Sequence, residues 1–320
     1  MVGRRWLILA ALVLTAAVTA VWARADAAPS RQAVPAPRWI VVSGSVPGLV
    51  DAGLPQSILD DANNPSTLLL VQHVYTNSYL PEGTPTFNFR GAADLARALR
   101  AGEIPDSMHW VLLDLEASSL TPERDQRDPI GALRRAQDVA HRYGKSVIFT
   151  PAIDLMNVLE PGLSGDALYR AFIDRLVTPG AAIADGFEIQ SQRTEATEYA
   201  TSFVKAAVQA AYAANPAGAP VLAGVSTNPN GRQVTADDML EVYNAAKAAG
   251  ATGYWLNIPG GGDECPNCGE PQYEVAVEFL KKITSTPTPP TETGFPTETG
   301  LPTGLIPTGP VIPTSGPFGS

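Results

Sequence analysis

Cysteine, histidine and positive charge are all scarce in this chain, and each scarcity narrows what it can be. The two cysteines, Cys265 and Cys268, form "CPNC" beside the glycine-rich run "PGGGDE". In an exported chain that spacing predicts a local disulfide. A zinc site would need two further ligands, and a redox pair would need a helix starting just after a strand; both alternatives stay open. Of the three histidines, His109 and His141 read as packing or surface residues. Only His73 follows a strand-like run. With Asp114 and Glu116 it could reach a metal, but no second histidine supports one, so no metal is expected.

No Gly-rich phosphate-binding turn follows any apolar run, so no dinucleotide site and no cofactor is expected. Basic residues number 22 against 32 acidic ones, a net charge of −10. Residues 1–27 take three basic residues and one acidic residue with them, leaving about −12. Such a surface repels phosphate backbones and anionic membranes, which excludes nucleic acid as a partner.

Arg4 and Arg5 precede a charge-free, largely apolar run from Trp6 to Ala23 and the small-x-small site Ala25-Asp26-Ala27. This pattern predicts an export signal over 1–27 and a secreted or surface-held protein, with no stable membrane insertion once the signal is removed. A retained anchor is the alternative, because the apolar run is long for a signal core. From Thr284 the sequence becomes Pro, Thr and Gly in a loose "TETGxP" repeat without apolar periodicity, which predicts a disordered spacer over 284–320. "LPTG" at 301–304 lacks a residue needed for a sortase signal.

About 256 residues, 28–283, remain for a folded domain. Within them β-rich runs ("RWIVVSG", "TLLLVQHVY", "HWVLLDLE", "SVIFTPAID", "DGFEIQSQ", "PVLAGVSTNP", "TGYWLNIP") alternate with amphipathic helical stretches. That rhythm means parallel strands joined by crossover helices, and the length suits a (β/α)8-type TIM barrel. Seven strands are clear and an eighth is not. The loop-like "SVPGLVDAGLPQSILDDANNP" suggests irregularity after the first strand. An open doubly wound sheet is the alternative.

Alternate side chains of a strand face opposite ways, so Asp114 and Glu116 share one face, as do Glu188, Gln190 and Gln192. Barrel enzymes place their sites at the C-terminal ends of the strands. There Glu116 and Glu188 form the expected acid and nucleophile-or-base pair, with Asp114 tuning them. Gln190, Gln192, Asp154, Asn228, Asn257, His73 and the ring of Trp255 are the expected contacts to a carbohydrate, whose hydroxyls suit amides and whose ring face suits an aromatic. Structural readings compete: a loop-capping Asp114, an ion-paired Glu188, a core Trp255.

The segment "YRAFIDRLV", a short loop and "DGFEIQSQ" resembles family 18 glycoside hydrolases, whose strand motif reads DGxDxDxE. The resemblance implies a barrel and sugar-binding ancestry. It also implies a lost proton donor, because Gln192 stands at the final Glu and Gln190 at the second inner Asp. An amide supplies neither a proton near neutral pH nor a negative charge. Three functions follow as expectations: a hydrolase of a polysaccharide or cell-wall glycan, a carbohydrate-binding protein without catalysis, and a surface adhesion protein using the tail as a spacer.

Overall fold

The computed structural model describes residues 35–285 apart from 74–75, 216–217 and 263–264. The expected signal, the tail beyond Ser285 and Tyr75 therefore lie outside the described residues. Nine strands form one parallel sheet: β1 (Trp39–Val42), β2 (Thr67–Leu70), β3 (Thr84–Thr86), β4 (Asn88–Phe89), β5 (Trp110–Leu115), β6 (Ser146–Pro151), β7 (Gly186–Ile189), β8 (Val221–Ser226) and β9 (Gly253–Asn257). Their order is β3-β2-β1-β9-β8-β7-β6-β5-β4.

The two ends of that order are neighbours in the chain, separated only by Phe87. Val71 N donates to Thr86 O at 3.1 Å and Leu112 N donates to Phe87 O at 2.9 Å. The bent segment Thr84–Phe89 thus bonds β2 on one side and β5 on the other, and the ring closes with eight strand positions. This is a (β/α)8-type TIM barrel, and closure excludes the open doubly wound sheet.

The eighth strand is "TPTFNF", which no β-rich run in the sequence marks. Pro85 removes a ladder donor, and a proline in a short run argues against a strand. The segment after β1, expected to be loop-like and only partly helical, holds two short helices, Val46–Asp51 and Gln56–Ala62. The irregular crossover is the next one, β2 to β3.

The expected alternation holds on both faces. Val111, Leu113, Leu115, Phe149, Phe187 and Ile189 join the apolar layer between sheet and helices. Ile40, Leu68, Leu112, Ile148, Leu222 and Trp255 fill the barrel interior. The helices that cover the outer layer carry ordinary stop and start signals. Thr235 and Asp238 form a reciprocal capping box at the start of Ala236–Ala249, and Gly250 ends it at φ 104°. At the N-terminal end of the barrel, Trp110 Nε1 donates to Pro35 O at 3.1 Å. The interior is therefore apolar at the bottom and polar toward the C-terminal ends of the strands.

Candidate active site

A cavity of about 1150 Å³ opens at those C-terminal ends. Its wall includes Asp114, Glu116, Gln190, Gln192, Trp255 and Asn257, with His73 at the exposed rim. Seven of the residues expected to form the site are therefore brought together. Glu188, Asp154 and Asn228 are not part of the wall, and each has a different place.

On the β4–β5 side both carboxylates have partners. Asp114 is 2% exposed. Its Oδ2 accepts from Arg90 Nη1 at 2.7 Å and Asn88 Nδ2 at 2.9 Å, while its Oδ1 accepts from Gln190 Nε2 at 2.8 Å. The Gln190 amide also donates to Thr150 O at 3.0 Å. Arg90 Nη1 lies 3.1 Å from Glu116 Oε1, so one guanidinium holds both carboxylates. Burial pushes the Asp114 carboxyl up, and Arg90, Asn88 and Gln190 pull the other way. Burial and the adjacent Asp114 also push Glu116 up, with Arg90 and Arg193 opposing. Asn88 Oδ1 is unpartnered on this side.

Asp154 acts outside the cavity as a tie between loops. Its Oδ2 lies 2.7 Å from Arg193 Nη1 and its Oδ1 accepts from Ala117 N at 2.9 Å. This joins the segments after β5, β6 and β7 around the mouth. Asn228 is buried and donates from Nδ2 to Cys268 O at 2.7 Å. It anchors the loop that the Cys265–Cys268 disulfide closes, with Cα atoms 5.4 Å apart.

The β7–β9 side is different. Strand β7 ends at Ile189, and Gln192 arrives from a tight turn, Ser191–Thr194, instead of from the extended strand that simple alternation implied. Ser191 Oγ donates to Gly224 O at 2.6 Å and Thr194 Oγ1 to Ser191 O at 2.7 Å, which holds that turn. Glu188 is fully buried and neither of its oxygens has a hydrogen-bond partner. Gln192 Oε1, Ser226 Oγ and Trp255 Nε1 are likewise buried without partners. Burial, with the negative charge of Asp114 added, holds the Glu188 carboxyl well above the usual carboxylate range.

Two residues of the mouth and one buried behind it are not marked by strand alternation. Arg90 directly follows the unassigned strand, and Arg193 directly follows Gln192, so an eye on basic residues just past each strand would have found both. Glu195 is fully buried, and its two carboxylate oxygens accept from Ser226 N at 2.9 and 3.1 Å. It holds the end of β8, and the next residue, Ala196, has φ 54°. No sequence pattern marks it. As to metal, among the described residues no group of three or more His, Cys, Asp or Glu is placed to hold an ion.

No family model matches the sequence, and no curated protein matches it. Solved structures match at low similarity. The carboxyl transferase domain of Rhizobium etli pyruvate carboxylase is 12% identical over 78% of this chain and 46% of that one, with a TM-score of 0.41. A truncated 3-deoxy-D-arabino-heptulosonate 7-phosphate synthase from Thermotoga maritima is 12% identical over 78% and 85%, TM-score 0.40. A putative phosphonomutase from Burkholderia cenocepacia is 15% identical over 69% and 86%, TM-score 0.39. Likeness at this level carries no function to this chain.

These findings overturn the resemblance to family 18 glycoside hydrolases. No family model supports the motif, and the similar structures named are a carboxyl transferase domain, a synthase and a putative phosphonomutase. The geometry gives a simpler reason for "DGFEIQSQ". Asp185 sits at the N-terminal end of β7, away from the mouth. There its Oδ2 accepts from Val147 N at 2.9 Å and lies 2.8 Å from His141 Nε2. The alternation that follows is that of any strand facing a polar interior.

Proposed function

We propose that the barrel mouth binds a glycan and that Glu116 is the proton donor for its hydrolysis. The observation that carries this reading is the position of Glu116. It lies in the wall of an open cavity among amides, an indole and a second carboxylate, and its carboxyl is pushed above the usual range. An acid that keeps its proton nearer neutral pH suits protonation of a leaving glycosidic oxygen. Burial raises Asp114 as well, but three donors on its two oxygens oppose that rise and favour its ionised form, so this reading assigns the proton of the pair to Glu116. As the glycosidic bond breaks, the negative charge of Asp114 offsets positive charge developing on the sugar ring, water adds to that carbon, and the proton the water loses returns to Glu116. Glu188 makes no contact with substrate in this reading. The export signal belongs to the same proposal, since it would bring the cavity to polysaccharides outside the cell.

A second reading, glycan binding without cleavage, is favoured by the fact that the oxygens of Asp114 are already engaged, which leaves no free carboxylate to act as nucleophile. The test is a panel of soluble cell-wall fragments and of cellulose-, starch- and mannan-derived oligosaccharides. Release of reducing ends by wild type and its loss in Glu116→Gln supports hydrolysis. Binding by calorimetry with no product after long incubation selects the second reading, and absence of both overturns the glycan assignment.

A further inference from the structure

We infer that Glu188 works as a neutral carboxylic acid that donates a hydrogen bond to Gln192 Oε1, and so turns the Gln192 N–H groups toward the cavity.

The geometry begins at Gly224 on β8. A Cβ built there would collide with Gln192 Oε1 and stand 2.7 Å from Glu188 Oε1. The two oxygens therefore share the small space that the missing side chain leaves. Both are buried, and neither has another hydrogen-bond partner. An ionised carboxylate sharing that space with an amide oxygen would set two acceptors against each other, and one proton placed between them turns repulsion into a hydrogen bond.

Among the described residues no cation is placed against Glu188. The β5 group that acts on it is the negative Asp114. Arg90, after β4, is held by Asp114 and Glu116, and Arg193, after β7, is held by Asp154. The neighbours on β8 and β9, Leu222, Gly224, Ser226 and Trp255, carry no charge. An isolated buried carboxylate is costly enough that the group takes up a proton instead.

The consequence lies in the cavity wall. With its oxygen engaged from below, Gln192 presents two N–H donors to the mouth, so this point selects an acceptor atom such as a ring, hydroxyl or carbonyl oxygen. That selection rests on the glycan reading; the Glu188–Gln192 bond does not. Glu188 is thus a positioning residue for the amide.

Infrared difference spectra of the folded full-length chain, wild type against Glu188→Gln near neutral pH, test the bond directly. A protonated-carboxyl stretch present in wild type and absent in the variant is expected. Its absence from wild type means an ionised Glu188 with the amide turned to donate, and overturns the proposal. The second measurement uses the tightest-binding oligosaccharide of the panel. Glu188→Gln keeps an N–H donor at the same point and should bind within about twofold of wild type, whereas Glu188→Leu should weaken binding by about tenfold, the worth of one oriented hydrogen bond. Equal loss in both variants, each folded, overturns the positioning role. If wild type binds no oligosaccharide, the glycan reading fails while the spectrum still decides the bond.

Discussion

The two sides of the barrel mouth solve the same problem differently. On the β4–β5 side, Arg90 lies within 3.1 Å of both the buried Asp114 and the half-buried Glu116, with amides completing Asp114. On the β7–β9 side, a third carboxylate is buried more deeply and, among the described residues, meets no cation and no donor. Pairing offsets part of what burial does to Asp114 and Glu116, whereas Glu188, unpaired beside the charge of Asp114, is driven well above the usual carboxylate range. A cavity wall built this way holds an acid of accessible proton, Glu116, beside a neutral surface of amide and indole.

Breaking the Glu116 corner should have the largest effect. Glu116→Gln keeps size and hydrogen-bonding capacity but removes the acid, and turnover of a cleaved oligosaccharide should fall about 10²- to 10⁴-fold with an unchanged unfolding midpoint. Because the donor must be protonated, wild-type turnover should also decline as pH rises through the elevated Glu116 value. A pH–rate profile in which activity instead appears as pH rises through that range would remove the acid role.

Next comes the latch. Arg90→Met leaves Asp114 buried without its guanidinium, and urea unfolding should show a loss of about 3 kcal/mol. A loss below about 1 kcal/mol would mean that Asp114 is as readily protonated as Glu188, and the contrast between the two sides would vanish.

Gly224→Ala probes the opposite side. The added methyl group meets Gln192 and Glu188, and displacing them should cost about 1–3 kcal/mol by the usual penalty for overpacking. Thermal unfolding at the wild-type midpoint would show that the space is not shared as described.

The smallest effect is a slope. Glu188 releases its proton at the ordinary carboxylate value when unfolded and at a higher one when folded. Its contribution is therefore complete below the unfolded value and is lost as pH rises through the folded one, at up to about 1.4 kcal/mol per pH unit. Glu188→Gln should flatten that part of the stability profile. An identical profile in wild type and variant would show that Glu188 titrates normally.

Much of the fold was legible because the interior of a barrel imposes alternation on each strand. "HWVLLDLE" announced the inward Leu112 and Asp114 and the outward Val111, Leu113 and Leu115, and the structure places them so. The eighth strand was hidden because it is short, bent and carries Pro85, and it qualifies as a strand only by bonding two partners remote in sequence. The candidate site was legible as a set of polar strand ends, but not in its roles. Asp154 and Asn228 have strand-end positions like the others, yet one ties loops and the other anchors the disulfide loop. Arg90 was missed along with the strand that delivers it.

By itself the sequence determined the parallel strand-and-helix rhythm, the sidedness of most strands, the Cys265–Cys268 pair and the acidic balance, because each depends on residues close together in the chain. Which carboxylate would be paired and which left alone was decided only by closure of the ring. Asp114 meets a guanidinium 24 residues before it and an amide 76 residues after it, whereas Glu188 meets the space left by a glycine. Electrostatic fate inside a barrel is set by what the neighbouring strands carry at the same height, and local spacing does not encode that height.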